Sequence, residues 1–216
     1  MNIGRNENPV KPGNCVLAFG IPLSVEGFLN AWELPPFPQS YVRAYEGGWK
    51  AYESSRFLVT FNRLKPEFDR LGASLRADIT LDEFGNLFHD DRYSVITLFS
   101  HWDGDQVEFC GGFADIPAIV ERAPADFDGV VDLCVCHPEP LVERLISRTR
   151  KYQVRYADRK TSPAFWLHFY HLLYAILLSR EITYADALVE TVREVFRQFG
   201  GVVHVIADDN NESEEP

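Results

Sequence analysis

The sequence of 216 residues has few basic side chains, with 21 Lys and Arg against 32 Asp and Glu, and its formal net charge is -11. This charge argues against a general nucleic-acid binder and against an anionic membrane surface as a partner. The most apolar stretch, residues 165–178, is shorter than the roughly 20 residues that a membrane-spanning helix needs, and it contains His168 and His171. We therefore expect a protein that binds neither nucleic acid nor membrane, and we expect this stretch to be a buried helix.

A secretion signal is also missing, because residues 1–13 are polar and lack an apolar core segment. Cysteine is scarce: the chain has 4, at positions 15, 110, 134 and 136. Without a secretion signal these cysteines are expected to be reduced thiols in the cytoplasm. The sequence has no internal repeat. Its one segment of low complexity is the acidic tail at residues 208–216, which is expected to be disordered.

The length fits one domain with a substantial core. We expect a leader over residues 1–14, a single α/β domain over residues 15–207 and the acidic tail over residues 208–216. Within the domain, residues 15–90 form an elaborated N-terminal part without catalytic motifs. Residues 91–207 contain the candidate site.

Two apolar segments of this second part end in reactive side chains. Residues 93–101 (YSVITLFSH) end in His101, and residues 129–136 (GVVDLCVC) end in Cys136. A run of about eight residues rich in Val, Ile, Leu and Phe predicts a short buried strand. The helix predicted between them, capped by Asp115, completes a right-handed unit with parallel strands. Because ligands bind beyond the carboxyl ends of such strands, His101 and Cys136 are expected to be neighbours.

The residues after Cys136 predict a helix, with Pro138 in its first turn and an apolar face behind it. A helix N-terminus favours the thiolate form of a cysteine, and a neighbouring imidazole favours it further. Glu139, one turn along, opposes this effect. The pattern therefore predicts Cys136 as a nucleophile and His101 as its acid and base.

The remaining segments predict a mainly parallel sheet flanked by helices on both faces. Strands are expected at residues 15–20, 57–61, 152–156 and, as an edge strand, 201–206. Helices are expected at residues 24–32, weakly at 65–71, at 163–180, and from Thr183 to a stop at Gly200 and Gly201.

The order of these motifs resembles the CHAT peptidases, a family of caspase-like cysteine proteases. The matching segments are LFSH at 98–101, VEFCGG at 107–112, VVDLCVC at 130–136, VRYAD at 154–158, FWLHFY at 165–170 and YADAL at 184–188. The resemblance covers residues 93–199, about half of the chain. It departs from the family pattern at Trp102, where the family has Gly, and at His137 and Pro138, where it has small polar residues and Gly.

The resemblance implies a caspase-like fold and a cysteine endopeptidase in which Cys136 attacks the scissile carbonyl and His101 transfers protons. It assigns the oxyanion hole to the backbone N–H groups of Trp102 and Cys136. It also places Asp158 and Arg155 near the pocket for the side chain that precedes the cut. Asp158 favours a basic side chain and Arg155 an acidic one, so the specificity stays open.

No metal or organic cofactor is implied by the resemblance. The expected partner is a protein or peptide substrate, with a regulatory partner protein as a further candidate. The expected setting is a bacterial regulatory or defence system.

Two other functions remain open at this stage. One is a catalytically inactive caspase-like interaction module, in which Trp102 fills the cleft and the negative charge attracts a basic partner. The other is zinc binding by Cys134, Cys136, His137 and His101, although the second pair of ligands that tetrahedral sites normally have is missing. Cys134 itself is expected to be a core thiol, because it lies deeper in the strand.

Overall fold

The computed structural model describes residues 8–32, 48–103, 106–148, 153–156 and 162–211. Its strands are β1 (Cys15–Phe19), β2 (Ser74–Arg76), β3 (Val95–Phe99), β4 (Trp102–Asp103), β5 (Gln106–Phe109), β6 (Gly112–Asp115), β7 (Val130–Cys134) and β8 (Gln153–Tyr156). Five of them form a parallel sheet in the order β2-β1-β3-β7-β8. Every residue of β1, β3 and β7 is buried, which is why these strands are nearly continuous apolar runs.

Helices cover both faces of this sheet. They are α1 (Val25–Trp32), α2 (Gly48–Glu53), α3 (Arg56–Leu71), α4 (Leu81–Leu87), α5 (Ile116–Arg122), α6 (Glu139–Arg148), α7 (Pro163–Ser179) and α8 (Tyr184–Asn211). Alternate residues of each central strand belong to two apolar clusters, one shared with α3 and α7 and the other with α4, α5 and α6. The prediction of a mainly parallel α/β sheet with helices on both faces is confirmed.

The second sheet is an antiparallel meander of β4, β5 and β6, inserted between β3 and α5. It was not predicted, although the Asp-Gly pair after Trp102 and the two glycines after Cys110 are typical of tight turns. Gly111 has φ +90, a value that favours glycine, at the turn between β5 and β6. The meander lies directly after β3 and so beside the candidate site.

Two predicted strands are wrong. Residues 57–61 lie in α3, where Ser55 caps the helix by accepting a hydrogen bond from the N–H of Leu58, and Phe57, Phe61, Leu64 and Phe68 are buried at helical spacing. Residues 201–206 lie in α8, which runs to Asn211 through both glycines. Each glycine costs about 1 kcal/mol relative to alanine, which a helix of 28 residues tolerates. The predicted end of this helix at Gly200 and Gly201 is therefore also wrong.

The packed unit begins before Cys15. Val10 is buried, and its N–H donates a hydrogen bond of 3.1 Å to the carbonyl of Ile182, so part of the expected leader joins the core. The strands at residues 15–20 and 152–156 and the helices at 24–32 and 163–180 are confirmed within a few residues. In the described part of the chain, no helix is both long and apolar enough to cross a membrane.

Candidate active site

His101 and Cys136 occupy equivalent positions beyond two adjacent parallel strands. Phe99 at the end of β3 pairs with Cys134 at the end of β7, and each candidate residue follows two positions later. Both line one small cavity, which also contacts Ile21, Phe99, Ser100, Cys134, Val135, Pro163 and Trp166. The prediction that the two residues are neighbours at one edge of the sheet is confirmed.

This cavity lies where the strand order changes direction. The chain passes from β1 to β2 on one side and continues through β3, β7 and β8 on the other. Ile21, which follows β1, and His101, which follows β3, both line the cavity. Ligands of open α/β sheets bind at such a switch point, beyond the carboxyl ends of the strands.

Backbone and hydroxyl groups fix the chain at His101. The N–H of Ser100 donates to the carbonyl of Cys134 at 3.2 Å, and its hydroxyl donates to the carbonyl of Glu108 at 2.6 Å. The N–H of Glu108 in turn donates to the carbonyl of His101 at 3.0 Å. The meander thereby holds the end of β3, and with it the histidine.

Gly20, at the end of β1, is required by close packing against this turn. A Cβ at Gly20 would lie 2.3 Å from the carbonyl oxygen of Glu108 and 2.9 Å from the hydroxyl of Ser100. A Cβ atom cannot lie so close to a carbonyl oxygen, so any residue other than glycine would force the backbone to move. Gly20 is thus a supporting residue of the site that the sequence analysis missed.

Cys136 lies in the turn between β7 and α6 and is half-buried. The next residue, His137, has φ 51, and left-handed backbone costs about 1 kcal/mol or more outside glycine. The carbonyl of Pro138 then accepts the first hydrogen bond of α6, from Val142. Pro163, at the N-terminus of α7, lines the same cavity as Cys136. Two helix N-termini, each with partial positive charge, therefore lie close to Cys136 in sequence or in the cavity wall.

The other cysteines are less suited to reaction. Burial, followed by the charge of Asp132, raises the pKa of the Cys134 thiol and also that of Cys15. Burial likewise raises the pKa of the partly buried Cys110. The expectation that Cys134 is a core thiol is confirmed by its burial, although it also forms part of the cavity wall.

Trp102 packs away from the cavity. It belongs to β4, pairs with Val107 and contacts the apolar cluster of α4, α5 and α6. The tryptophan that lines the cavity is Trp166 on α7. The idea that the Trp102 side chain fills the cleft therefore lacks support, while its backbone N–H remains a candidate for the oxyanion hole.

Arg155 lies on β8 and is engaged inside the protein. Its guanidinium donates to Asp132 at 2.7 Å and to the hydroxyl of Tyr170 at 3.0 Å, and it stacks 5.1 Å from the ring centroid of Trp166. Asp132 is completely buried and accepts a second hydrogen bond of 2.7 Å from Tyr184. Asp158 falls outside the described residues.

Asp132 and Trp166, like Gly20, were not predicted from the sequence. A lone carboxylate in the apolar strand VVDLC was a usable signal, because a buried charge requires a partner. His168 and His171 take part in packing: His168 lies 3.0 Å from Arg63, and His171 packs edge-on against Phe68. Within the part of the chain that the structure describes, no group of three or more His, Cys, Asp or Glu side chains could hold a metal ion.

Neither a scan against models of known protein families nor a search of curated proteins finds a match for this chain. The fold and the site define the structural class of the protein. The chain is an α/β protein with a five-stranded parallel sheet, in which a histidine and a cysteine line one cavity beyond two adjacent strands.

Proposed function

We propose that this protein is a caspase-like cysteine endopeptidase of the CHAT type that cleaves a partner protein in the cytoplasm. One observation carries the proposal: His101 and Cys136 follow paired strand ends at equivalent positions and line one cavity. A nucleophile and a base in one cleft are the minimum that covalent acyl transfer requires.

In the proposed reaction, the Cys136 sulfur attacks the carbonyl carbon of the scissile peptide bond. His101 accepts the thiol proton and delivers it to the departing amine, which leaves an acyl-enzyme thioester. Water then attacks the thioester, with His101 as the base, and the Cys136 thiol is regenerated. The N–H groups of Trp102 and Cys136 are the proposed donors to the oxyanion.

The surroundings of both residues suit this chemistry. Partial positive charge at the N-termini of α6 and α7 stabilises an anionic sulfur. The hydrogen bonds from Ser100 and Glu108 restrict the backbone at His101, which keeps the imidazole in place for repeated proton transfer.

The test is to incubate candidate partner proteins with the wild type and with the Cys136→Ala and His101→Ala variants. We expect discrete fragments with the wild type alone. A matched control is Cys110→Ala, because Cys110 is also partly exposed but lies outside the cavity lining. Identical fragment patterns from the wild type and Cys136→Ala would refute the proposal.

A second candidate function is an inactive interaction module on the same fold. It is favoured by the small size of the cavity, about 30 Å³, and by the net charge of -11, which suits a basic partner. It predicts that Cys136 reacts no faster with thiol probes than an ordinary cysteine does, and that Cys136→Ala keeps the biological activity.

Regulation by another protein is part of the proposal. Residues 15–90 are rich in aromatic side chains and contribute only Ile21 to the described cavity lining, which leaves their surface for a docking partner. Labelling of Cys136 with a cysteine probe, alone and with candidate partners, tests this. Strong labelling of the isolated chain would exclude dependence on a partner.

A further inference from the structure

The cavity beside Cys136 is walled by apolar side chains. Ile21, Phe99, Val135, Pro163 and Trp166 supply its apolar lining, and its volume is about 30 Å³. A water molecule needs roughly 10–15 Å³, so the cavity has room for about two or three water-sized groups. A methyl or isopropyl group is of this size, whereas an aromatic ring is larger.

Among the described residues, few titratable side chains line the cavity. Apart from His101, no titratable side chain other than the two thiols lines the described cavity. Arg155, the nearest cation to Trp166, is neutralised by Asp132 at 2.7 Å and is bound to Tyr170. A guanidinium entering this cavity would lose its hydration without meeting a carboxylate among the described lining residues, and a carboxylate would meet only His101, which the proposed reaction already engages with Cys136. Either charge would therefore be desolvated at a cost of several kcal/mol.

Three contacts hold the Trp166 side chain in the cavity wall. The Arg155 guanidinium lies over its ring at 5.1 Å, and Phe165 and Phe169 each pack edge-on against it with ring centroids 5.3 Å away. Each of these contacts stabilises one orientation of the indole. Residues of α7 and β8 therefore fix the position of Trp166, and with it the size of side chain that the cavity can accept.

We propose that this cavity receives the side chain that precedes the scissile bond and selects a small, uncharged, apolar residue such as alanine or valine. Trp166 sets the upper size limit, and Arg155 is a positioning residue that holds Trp166 rather than a reader of substrate charge. This inference rests on the proposed peptidase function.

The test uses five acetylated tripeptide aldehydes that differ only in the last residue: Ala, Val, Phe, Asp or Arg. The Cys136 sulfur bonds reversibly to the aldehyde carbon, the C=O π bond opens, and the thiol proton passes to the oxygen. Protection of Cys136 from iodoacetamide, measured by mass spectrometry of the full-length protein, gives the apparent affinity of each aldehyde without a known protein substrate.

For the wild type we expect the Ala and Val aldehydes to protect Cys136 at least about tenfold better than the Phe, Asp and Arg aldehydes do. Trp166→Ala should raise the apparent affinity of the Phe aldehyde by about tenfold or more. If this variant folds poorly, Trp166→Phe replaces it and should raise the same affinity by a smaller factor. Trp49→Ala is the matched control, because Trp49 is also a half-buried helical tryptophan but lies outside the cavity lining, and it should keep the wild-type order.

Preference of the wild type for Asp or Arg would overturn the inference and leave the peptidase intact. An unchanged order in both Trp166 variants would overturn the role of Trp166. Absence of protection by all five aldehydes, with Cys136 alkylated no faster than in the urea-unfolded chain, would overturn the proposed function itself.

Discussion

The Arg155 guanidinium on β8 donates a hydrogen bond of 2.7 Å to Asp132 on β7, whose side chain is completely buried. Tyr184 on α8 donates to the other carboxylate oxygen at 2.7 Å. Burial lowers the pKa of Arg155, but its interactions with Asp132, Tyr170 and Tyr184 together outweigh this effect, so that its pKa lies above the ordinary value and the residue stays cationic. The Asp132 carboxylate on β7 thus connects β8, through Arg155, with α8, through Tyr184.

Removal of this carboxylate should be costly. Asp132→Ala leaves Arg155 largely buried without its counter-ion, and we expect a loss of about 3–5 kcal/mol in the free energy of unfolding, measured by urea titration. The double variant Asp132→Leu with Arg155→Met should lose less, since no unpaired charge remains. A loss below about 1 kcal/mol for Asp132→Ala would contradict the assigned role.

Gly20→Ala should disturb the site through the backbone. The new Cβ would meet the Glu108 carbonyl at 2.3 Å, so the turn that holds His101 must move. We expect a loss of about 1–3 kcal/mol in unfolding free energy and slower alkylation of Cys136. Gly13→Ala is the control, because the nearest atom to its Cβ, the carbonyl oxygen of Gly72, is 3.8 Å away. Equal effects of the two substitutions would show that the close contact is unimportant.

Glu108 should make stability depend on pH. Burial raises its pKa well above 4.5, so the folded protein keeps a proton that the unfolded chain releases as the pH rises. Stability contributed by this protonated group is complete below the unfolded pKa and is lost as the pH rises towards the folded pKa. Glu108→Gln removes this loss of stability at high pH, because a glutamine side chain does not ionise.

The measurement compares urea unfolding of wild type and Glu108→Gln from about pH 5 to about pH 8. The variant should gain stability relative to wild type with rising pH, by up to about 1.4 kcal/mol per pH unit. Other titrating groups cancel in this difference. A difference that is constant over the range, or that falls, would argue against a protonated Glu108.

The four thiols should differ in reactivity. Burial raises the pKa of Cys15, Cys134 and Cys110, whereas Cys136 is half-buried beside two helix N-termini. Iodoacetamide at neutral pH should therefore modify Cys136 first, and Cys15 and Cys134 should react only after unfolding. Peptide mapping over time gives the order. Faster reaction of Cys15 or Cys134 in the folded protein would contradict their burial in the core.

Local sequence pattern was sufficient to predict the parts of the site that lie at strand ends. β3 and β7 are short apolar runs, and the capped α5 between them makes the two strands parallel, which brings His101 and Cys136 together. Residues 57–61 show the limit of this approach, because a short apolar run suits a strand or a buried helix equally well. The capping serine at position 55 was the signal that separates the two.

The cavity wall was beyond sequence reasoning for a different reason. Trp166 is one of several aromatic residues on α7, and nothing in their spacing tells which ring faces Cys136. Its place depends on how α7 packs against the sheet and on the ion pair of Arg155 with Asp132. Such contacts between distant residues are set by tertiary packing.

The strand order also governs when the site can assemble during synthesis. Cys15 on β1 pairs with Val95 on β3, about 80 residues later, so one side of β1 must wait for its partner until β3 leaves the ribosome. The cavity closes later still, because Pro163 and Trp166 belong to α7. A nascent or truncated chain that ends before α7 would expose Cys136 without its pocket. If the proposed function is correct, such a chain would lack the wall that selects a substrate, and peptidase activity would begin only after α7 has been synthesised and packed.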